Sequence, residues 1–421
     1  MNPRAKGWLK EYLQFRQQLF FDLSSQGLRA AHPDFSLYKI LQPTGLMYGQ
    51  PVTPFEFSEA ASWSTRERLK VLLAESLISS SLIFYDRRVT ESPELSAALI
   101  KTIEDINSFY QQVFPEMAAS SRTFLGRKKE PIELAEQILA HRVEKLDLSG
   151  NFWVRFFNTS LLFLDVFIFG QWSHTHADKM VSDFFQYERE ELRSSVVRVM
   201  AVAAHANRVL AYEERKLLEY FLHSSGLSAE RKKEAMEIFE KGIPVEELNL
   251  PTSNSWVLKK YFLELAILTM WADRRVEAAE VEVLHRLAQT IGFTADDVEN
   301  SLLSVEGFVL EHWKELDNLQ DKKSFEEVSQ QFIQRMAALA SKSKAQLLES
   351  TRANQELMTL LRQARSSELG HEEKESMRGM LIDVLRGIQT LGIITLPQHF
   401  LTLPVLMQIL PKNFVTEAQS V

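Results

Sequence analysis

Apolar residues recur three and four positions apart along almost the whole chain, and this spacing leaves little room for any architecture but packed helices. Leu69, Leu72, Leu73, Leu77 and Ile78 form one stripe. Leu217, Leu218, Phe221 and Leu222 form a second, and Leu284, Leu287 and Ile291 a third. None alternates as a half-buried strand would. Only 15 glycines and 13 prolines punctuate the 421 residues, too few for the frequent turns of an all-β chain. The pattern predicts an all-α protein of several helical bundles. One stretch departs from it. Between residues 31 and 63, Pro33, Pro43, Pro51, Pro54, Gly45 and Gly49 predict an irregular excursion that could hold at most a small β-hairpin.

Bulk properties narrow the function classes. Hydrophobic residues make up 45% of the chain, enough for a packed core and too many for global disorder. The net charge of -8 gives no long-range pull on DNA. Cysteine is absent, which rules out disulfide staples, thiolate catalysis and Cys-ligated zinc and suits a reducing cytoplasm. The N-terminus lacks the apolar core of a secretory signal. Trp8 to Phe21 is amphipathic instead, with Trp8, Leu9, Tyr12, Leu13, Phe15 and Leu19. It reads as a helix capping the first domain or, alternatively, as an interfacial membrane helix.

An internal repeat organises the middle of the chain. Asn207-Arg208-Val209-Leu210 precedes Asp273-Arg274-Arg275-Val276 by 66 residues. The same offset links Glu214 to Glu280, Leu218 to Leu284, and Gly226-Leu227-Ser228 to Gly292-Phe293-Thr294. In each copy a turn opens a helix with an acid in its first turn. That helix ends at a glycine free to take positive φ, and Ser228 or Thr294 then caps the next helix. A weaker copy starts at Asp86-Arg87-Arg88-Val89. These turns, with Asp86, Asn207, Glu214, Asp273 and Glu280 as their polar residues, resemble the tellurite-resistance TerB-like helical domain over about 195–316. The resemblance implies that fold. In the family, acids near the turn are linked to metal. Arg87, Arg208 and Arg274 stand here where glycine is usual, and a cation beside the acids disfavours a divalent ion, so no metal or other cofactor is expected.

Residues 324–369 contain no glycine or proline. Ser324-Phe325-Glu326-Glu327 is a capping-box pattern, and Phe325, Val328, Phe332, Met336, Leu339, Leu347, Leu357 and Leu361 continue a helical stripe. Unbroken, about 45 residues would make a connecting rod of roughly 65 Å. Beyond it, Gly387 to Pro411 carries no Asp, Glu, Lys or Arg. Its length could span a hydrocarbon core. Pro397, Pro404 and Pro411 break it into a hairpin or re-entrant shape.

Glu368-Leu369, Glu373, Asp383 and Arg386 three apart, Pro397, Leu403-Pro404 and Leu410-Pro411 resemble the Letm family. The resemblance implies membrane association through the hairpin, ribosome binding, and a link to cation/proton exchange and ion homeostasis. Bacterial relatives with this C-terminus are labelled biofilm-associated. Asp383 and Arg386 read either as a surface pair or as an ionic site at the membrane.

Other candidates are weaker. Phe156 to Trp172 is strongly apolar but holds Asp165. It reads as a buried helix whose carboxylate needs a partner such as Arg155 or a backbone donor. His174, His176 and Asp178 are spaced like ligands of an extended segment, a poor match to a helix end. The serines after Leu77-Ile78 read as close helix packing. No phosphate-cradling loop or His-Glu-x-x-His occurs, so the chain reads as a non-enzyme.

The segments expected are an N-terminal helix and irregular stretch (1–64), a helical domain (65–194), TerB-like repeats (195–316), the connecting helix (317–368) and the Letm-like hairpin (369–421). Three functions follow: a membrane-associated adaptor with a protein partner, the ribosome by resemblance; a cation/proton exchanger or its subunit; or a soluble interaction scaffold whose apolar C-terminus packs on its own helices. The expected place is the cytoplasm, including the cytoplasmic face of the inner membrane, and oligomers are open.

Overall fold

The computed structural model describes residues 1–26, 33–49, 51–52, 59–85, 88–114, 129–148, 152–173, 179–206, 215, 218–219, 221–222, 225, 227–250, 255–271, 278–315, 325–366 and 368–419. Among these residues there are helices and turns and no strand. The all-α expectation holds. The chain divides into two units, Met1–Thr269 and Met270–Val421, the division falling inside the 195–316 segment.

The first unit is built around α4 (Thr65–Ile83), preceded in the chain by α1 (Trp8–Phe15), α2 (Gln17–Gln26) and α3 (Pro33–Leu41). Helix α4 starts at a capping box. The Ser64 hydroxyl accepts from the Glu67 amide, and the Glu67 carboxylate accepts from the Ser64 amide at 2.7 Å. From Val71 to Ile83 every side chain of α4 is buried. After α5 (Ser92–Val113) and α6 (Pro131–Glu144), helix α7 (Phe152–Trp172) crosses α4. Small residues permit the close approach: a Cβ on Gly170 would sit 2.6 Å from the Ser80 hydroxyl. This is the close packing that the serine run predicts.

Helix α7 is buried from Asn158 to Gly170, Asp165 included. The Arg142 guanidinium of α6 donates to Asp165 at 2.6 Å, and the Tyr110 hydroxyl of α5 donates at 3.3 Å. The partner therefore comes from a neighbouring helix. The side chain of Arg155 lies outside the described residues.

The amphipathic N-terminus is two helices, α1 and α2, that meet at Arg16. Trp8, Leu9, Tyr12 and Phe20 are buried in the unit. The Glu136 carboxylate caps α1 from another helix, accepting from the amides of Gly7 and Leu9 at 3.0 and 2.9 Å. Arg16 donates twice to the buried Glu75 carboxylate at 2.8 and 3.0 Å. These contacts favour the domain-capping reading of this segment.

Where described, the proline-containing segment is α3 and three 3-10 turns, with Pro51, Val52 and Trp63 in irregular backbone. Two 3-10 turns, Gln42–Thr44 and Leu46–Tyr48, end at Gly45 and Gly49, both at φ +69°, a conformation that favours glycine. After α8 (Lys179–Ala204) and α9 (Ala229–Lys241), helix α10 (Trp256–Trp271) holds that segment in place. The buried Glu264 carboxylate accepts from the hydroxyls of Tyr38 and Tyr48 at 2.6 and 2.8 Å and lies 3.5 Å from Lys260. Burial pushes this carboxyl up, opposed by Lys260 and the two tyrosines.

The second unit begins with α11 (Ala278–Thr290) and α12 (Ala295–Glu311). The predicted chemistry of their junction is present. Gly292 has φ +78°, and Thr294 caps α12, accepting from the Asp297 amide at 3.3 Å. In the first unit Ser228 caps α9 in the same way, accepting from the Arg231 amide at 3.3 Å.

The expected connecting rod is instead three helices: α13 (Phe325–Lys342), α14 (Lys344–Ala353) and α15 (Gln355–Ser366). Ser324 lies outside the described residues. The breaks fall at Ser343 and at Asn354, whose side-chain oxygen accepts from the Leu357 amide at 2.9 Å and so caps α15. Val328, Phe332, Met336, Leu347, Leu357 and Leu361 are all buried.

The C-terminal segment corrects the membrane reading. After α16 (His371–Arg386) come three short helices, α17 (Gln389–Ile393), α18 (Leu403–Ile409) and α19 (Phe414–Ala418). Helix α18 packs on α13 and α16. Leu391, Leu401, Leu406 and Ile409 are fully buried. Phe400 is half-buried between Phe325 and Phe332, ring centroids 6.0 and 5.6 Å away. Pro397 is buried in a tight fit, 3.2 Å from where a Cβ on Gly307 would lie. The uncharged run is core of the second unit. Among the described residues no helix is long and apolar enough to cross a membrane.

Candidate functional site

A groove with a volume of about 580 Å³ runs along α12 and α13 in the second unit. Ala295 and Leu303 of α12 and Ala338 and Leu339 of α13 give it apolar lining, and Gln331 and Gln334 of α13 add polar lining. The walls carry charge of opposite sign. Asp296 and Glu299 project from α12, Arg335 and Lys342 from α13, and His285 of α11 stands at one side.

Arg335 is the centre of the groove. Its guanidinium donates to Glu306 at 3.2 Å and also bonds Glu299. Burial opposes its charge, but the two carboxylates outweigh burial and its pKa is raised. Glu306 is buried and Glu299 half-buried, so one guanidinium ties the α12 wall to the α13 wall. Lys342 lies 4.0 Å from Asp296 at the exposed end. Among the described residues no group of three His, Asp or Glu side chains is placed to hold a metal ion.

The residues singled out from sequence lie elsewhere. Asp86, Asn207, Glu214 and Asp273 lie outside the described residues, as do His174, His176 and Asp178; Glu280 lies in α11, its side chain outside them. Glu368 is exposed and pairs with Lys374 at 3.3 Å. Leu369 is buried. Glu373 accepts from the Gly370 amide at 2.8 Å and so caps α16. These hydrogen bonds, with that from Gln363, hold its carboxyl below the usual range. Asp383 and Arg386 form a 3.0 Å pair with both side chains exposed, the surface reading. Leu403 and Pro404 open α18, and Leu410 and Pro411 close it, both buried. Leu369, Pro397, Leu410 and Pro411 are core, Glu373 is a cap, and Glu368, Asp383, Arg386 and Pro404 lie at the surface. Arg335 and Glu306 were legible as a pair in principle: Glu306 interrupts the apolar run of α12 and Arg335 that of α13, and each needs a partner if buried.

The chain is similar to co-chaperones. It is 32% identical over 126 residues to the co-chaperone protein DjlA of Vibrio cholerae, a match covering 28% of this chain and 44% of that protein. The DjlA of Vibrio vulnificus is 31% identical over 122 residues, with 27% and 42% covered. That of Aliivibrio fischeri is 33% identical over 112 residues, with 25% and 40% covered. The chain thus spans less than half the length of these curated relatives. No family model matches it, and no solved structure matches it.

These matches overturn the Letm reading. The relatives are co-chaperones, and the apolar segment that carried the resemblance is packed core. Ribosome binding, cation/proton exchange, the biofilm association and the membrane hairpin all fall with it. The TerB-like likeness also finds no support among the matches.

Proposed function

We propose that the chain is a non-catalytic protein of the co-chaperone type, a helical adaptor that engages a molecular chaperone. The observation that carries this reading is the repeated match to co-chaperone relatives. The groove of the second unit supplies a surface of the right character. A helix with apolar residues on one face complements the Ala295, Leu303, Ala338 and Leu339 lining. The place of action is the cytoplasm, in keeping with a chain without cysteine.

The test is refolding of a heat-denatured reporter enzyme by a purified ATP-dependent chaperone system, with and without the full chain. The expected result is a dose-dependent change in the refolding rate, lost when Ala338→Arg fills the groove. Circular dichroism checks that the variant is folded, since Ala338 is exposed. An unchanged refolding rate at every dose would overturn the reading.

A further inference from the structure

Residues 3–16 are seated on α4 and α6 by one face of α1. Trp8, Leu9 and Tyr12 are buried, while Lys10, Glu11 and Gln14 on the other side are exposed. Helix α1 has eight residues, about two turns, too short to hold a helix alone in water. Its N-cap is Gly7, at φ +91°, which has no side chain to accept from the first amides. That acceptor is the Glu136 carboxylate of α6. Helix formation and seating are therefore one event, as for a peptide that folds into the groove of another molecule.

The polar links run mostly from bases of the segment to acids of the seat. Arg4 bonds Glu67 of α4 through both Nε and Nη2, the second contact at 3.3 Å. Lys6 pairs with Glu133 of α6 at 2.6 Å, and the Tyr12 hydroxyl joins Arg16 on Glu75. One link runs the other way. Lys70 of α4 donates to the Pro3 carbonyl at 2.5 Å and lies 5.7 Å from the centre of the Trp8 ring. Arg4 and Lys6 are themselves exposed, and exposed ion pairs hold weakly. Two clefts flank the segment, one of about 270 Å³ lined by Lys6, Trp8, Lys70 and Glu133, the other of about 340 Å³ lined by Arg4, Trp63 and Glu67.

The seat is built without the segment. Helix α4 packs on α5, α6 and α7. Arg66 of α4 donates to the carbonyls of Val143 and Glu144 at the end of α6, at 3.1 and 2.9 Å, and to that of Leu146 at 3.4 Å. The spacing of the two helices is thus fixed by contacts in which residues 3–16 take no part. Glu67, Glu133 and Glu136 make the seat acidic, with Lys70 as the cation among them, and this suits a basic helix with apolar anchors.

We propose that residues 3–16 are an autoinhibitory clasp, a basic helix anchored by Trp8, Leu9 and Tyr12 that leaves the α4/α6 seat as a unit and so opens it to a helix of the same chemistry. Hydrogen exchange of the full chain reads the release. The amides of α1 exchange faster than the buried amides of α7 by about tenfold or more, and in Leu9→Glu, which puts a charge at a fully buried anchor, α1 loses protection while α4 and α7 keep theirs. Fluorescence anisotropy with a labelled peptide of residues 1–16 reads the open seat. The peptide binds Leu9→Glu saturably and the parent more weakly by about tenfold or more, and adding Glu136→Gln to Leu9→Glu lowers its affinity by a similar factor. Exchange of α1 in step with α7, protection of α1 retained in Leu9→Glu, or protection lost in α4 and α7 as well overturns the proposal, because the segment is then an integral part of the fold. So does a peptide that fails to bind Leu9→Glu, that binds the parent equally, or that is indifferent to Glu136→Gln.

Discussion

Replacing Leu406 by alanine tests directly whether the uncharged C-terminal run is core. Leu406 lies in α18 with no exposed surface, on a helix packed against α13 and α16. Truncating a fully buried leucine loses its transfer free energy and leaves a cavity, together about 2–5 kcal/mol. The second unit spans Met270–Val421, and for a unit of that size each kcal/mol moves the melting temperature by about 2–4 °C. Leu406→Ala is therefore expected to lower the melting temperature of this unit by roughly 4–20 °C. The neighbouring Met407, 46% exposed, is the internal control: Met407→Ala stays within about 0.5 kcal/mol of the parent. Differential scanning calorimetry of the full chain reads both. The packing argument fails if Leu406→Ala melts with the parent, or if both substitutions cost the same.

Three further outcomes follow from particular side chains. Asp165→Asn removes the carboxylate that Arg142 bonds inside the core and should cost about 3–5 kcal/mol, whereas Arg142→Met/Asp165→Leu should recover part of the loss; urea unfolding compares them. Asn354→Ala removes the cap of α15 and should cost about 1 kcal/mol, read by thermal melting and absent for Asn354→Asp. The third concerns pH. Burial pushes the Glu188 carboxyl up to about 6, so its protonated form is favoured in the folded chain; its contribution is full below about pH 4.5 and is lost as pH rises through about 6. Glu188→Gln should thus stabilise the chain at pH 8 and leave it unchanged at pH 4, and a gain at pH 4 instead would contradict the assignment.

Much of the architecture could be read from residue spacing, because helix periodicity and capping are local. The Gly292 turn and the Thr294 and Ser228 caps appear where those residues predict them. Two breaks were invisible for a physical reason. Ser343 and Asn354 can continue a helix as well as end one, and only the tertiary packing of Leu347, Leu357 and Leu361 into one core decides between the two. The uncharged C-terminal run misled for another reason: absence of charge marks a dry environment without saying whether lipid or protein supplies it. Its polar residues carried the missing information. Gln389, Thr395, His399, Thr402 and Gln408 are exposed, while Leu391, Leu396, Leu401, Leu406 and Ile409 are buried, the two-sided pattern of a surface-packed segment. The groove escaped notice because its walls come from α11, α12 and α13, elements whose side chains meet only in the fold. The partner of Asp165 was missed likewise, lying on α6 and not on α7 itself.

The central claim, that this chain engages a molecular chaperone as a co-chaperone-type adaptor, is tested most directly by sedimentation velocity of the full chain mixed with a purified ATP-dependent chaperone. The account predicts a saturable complex sedimenting faster than either component, weakened by Ala338→Arg. Independent sedimentation of the two proteins, with nucleotide present and absent, would contradict it.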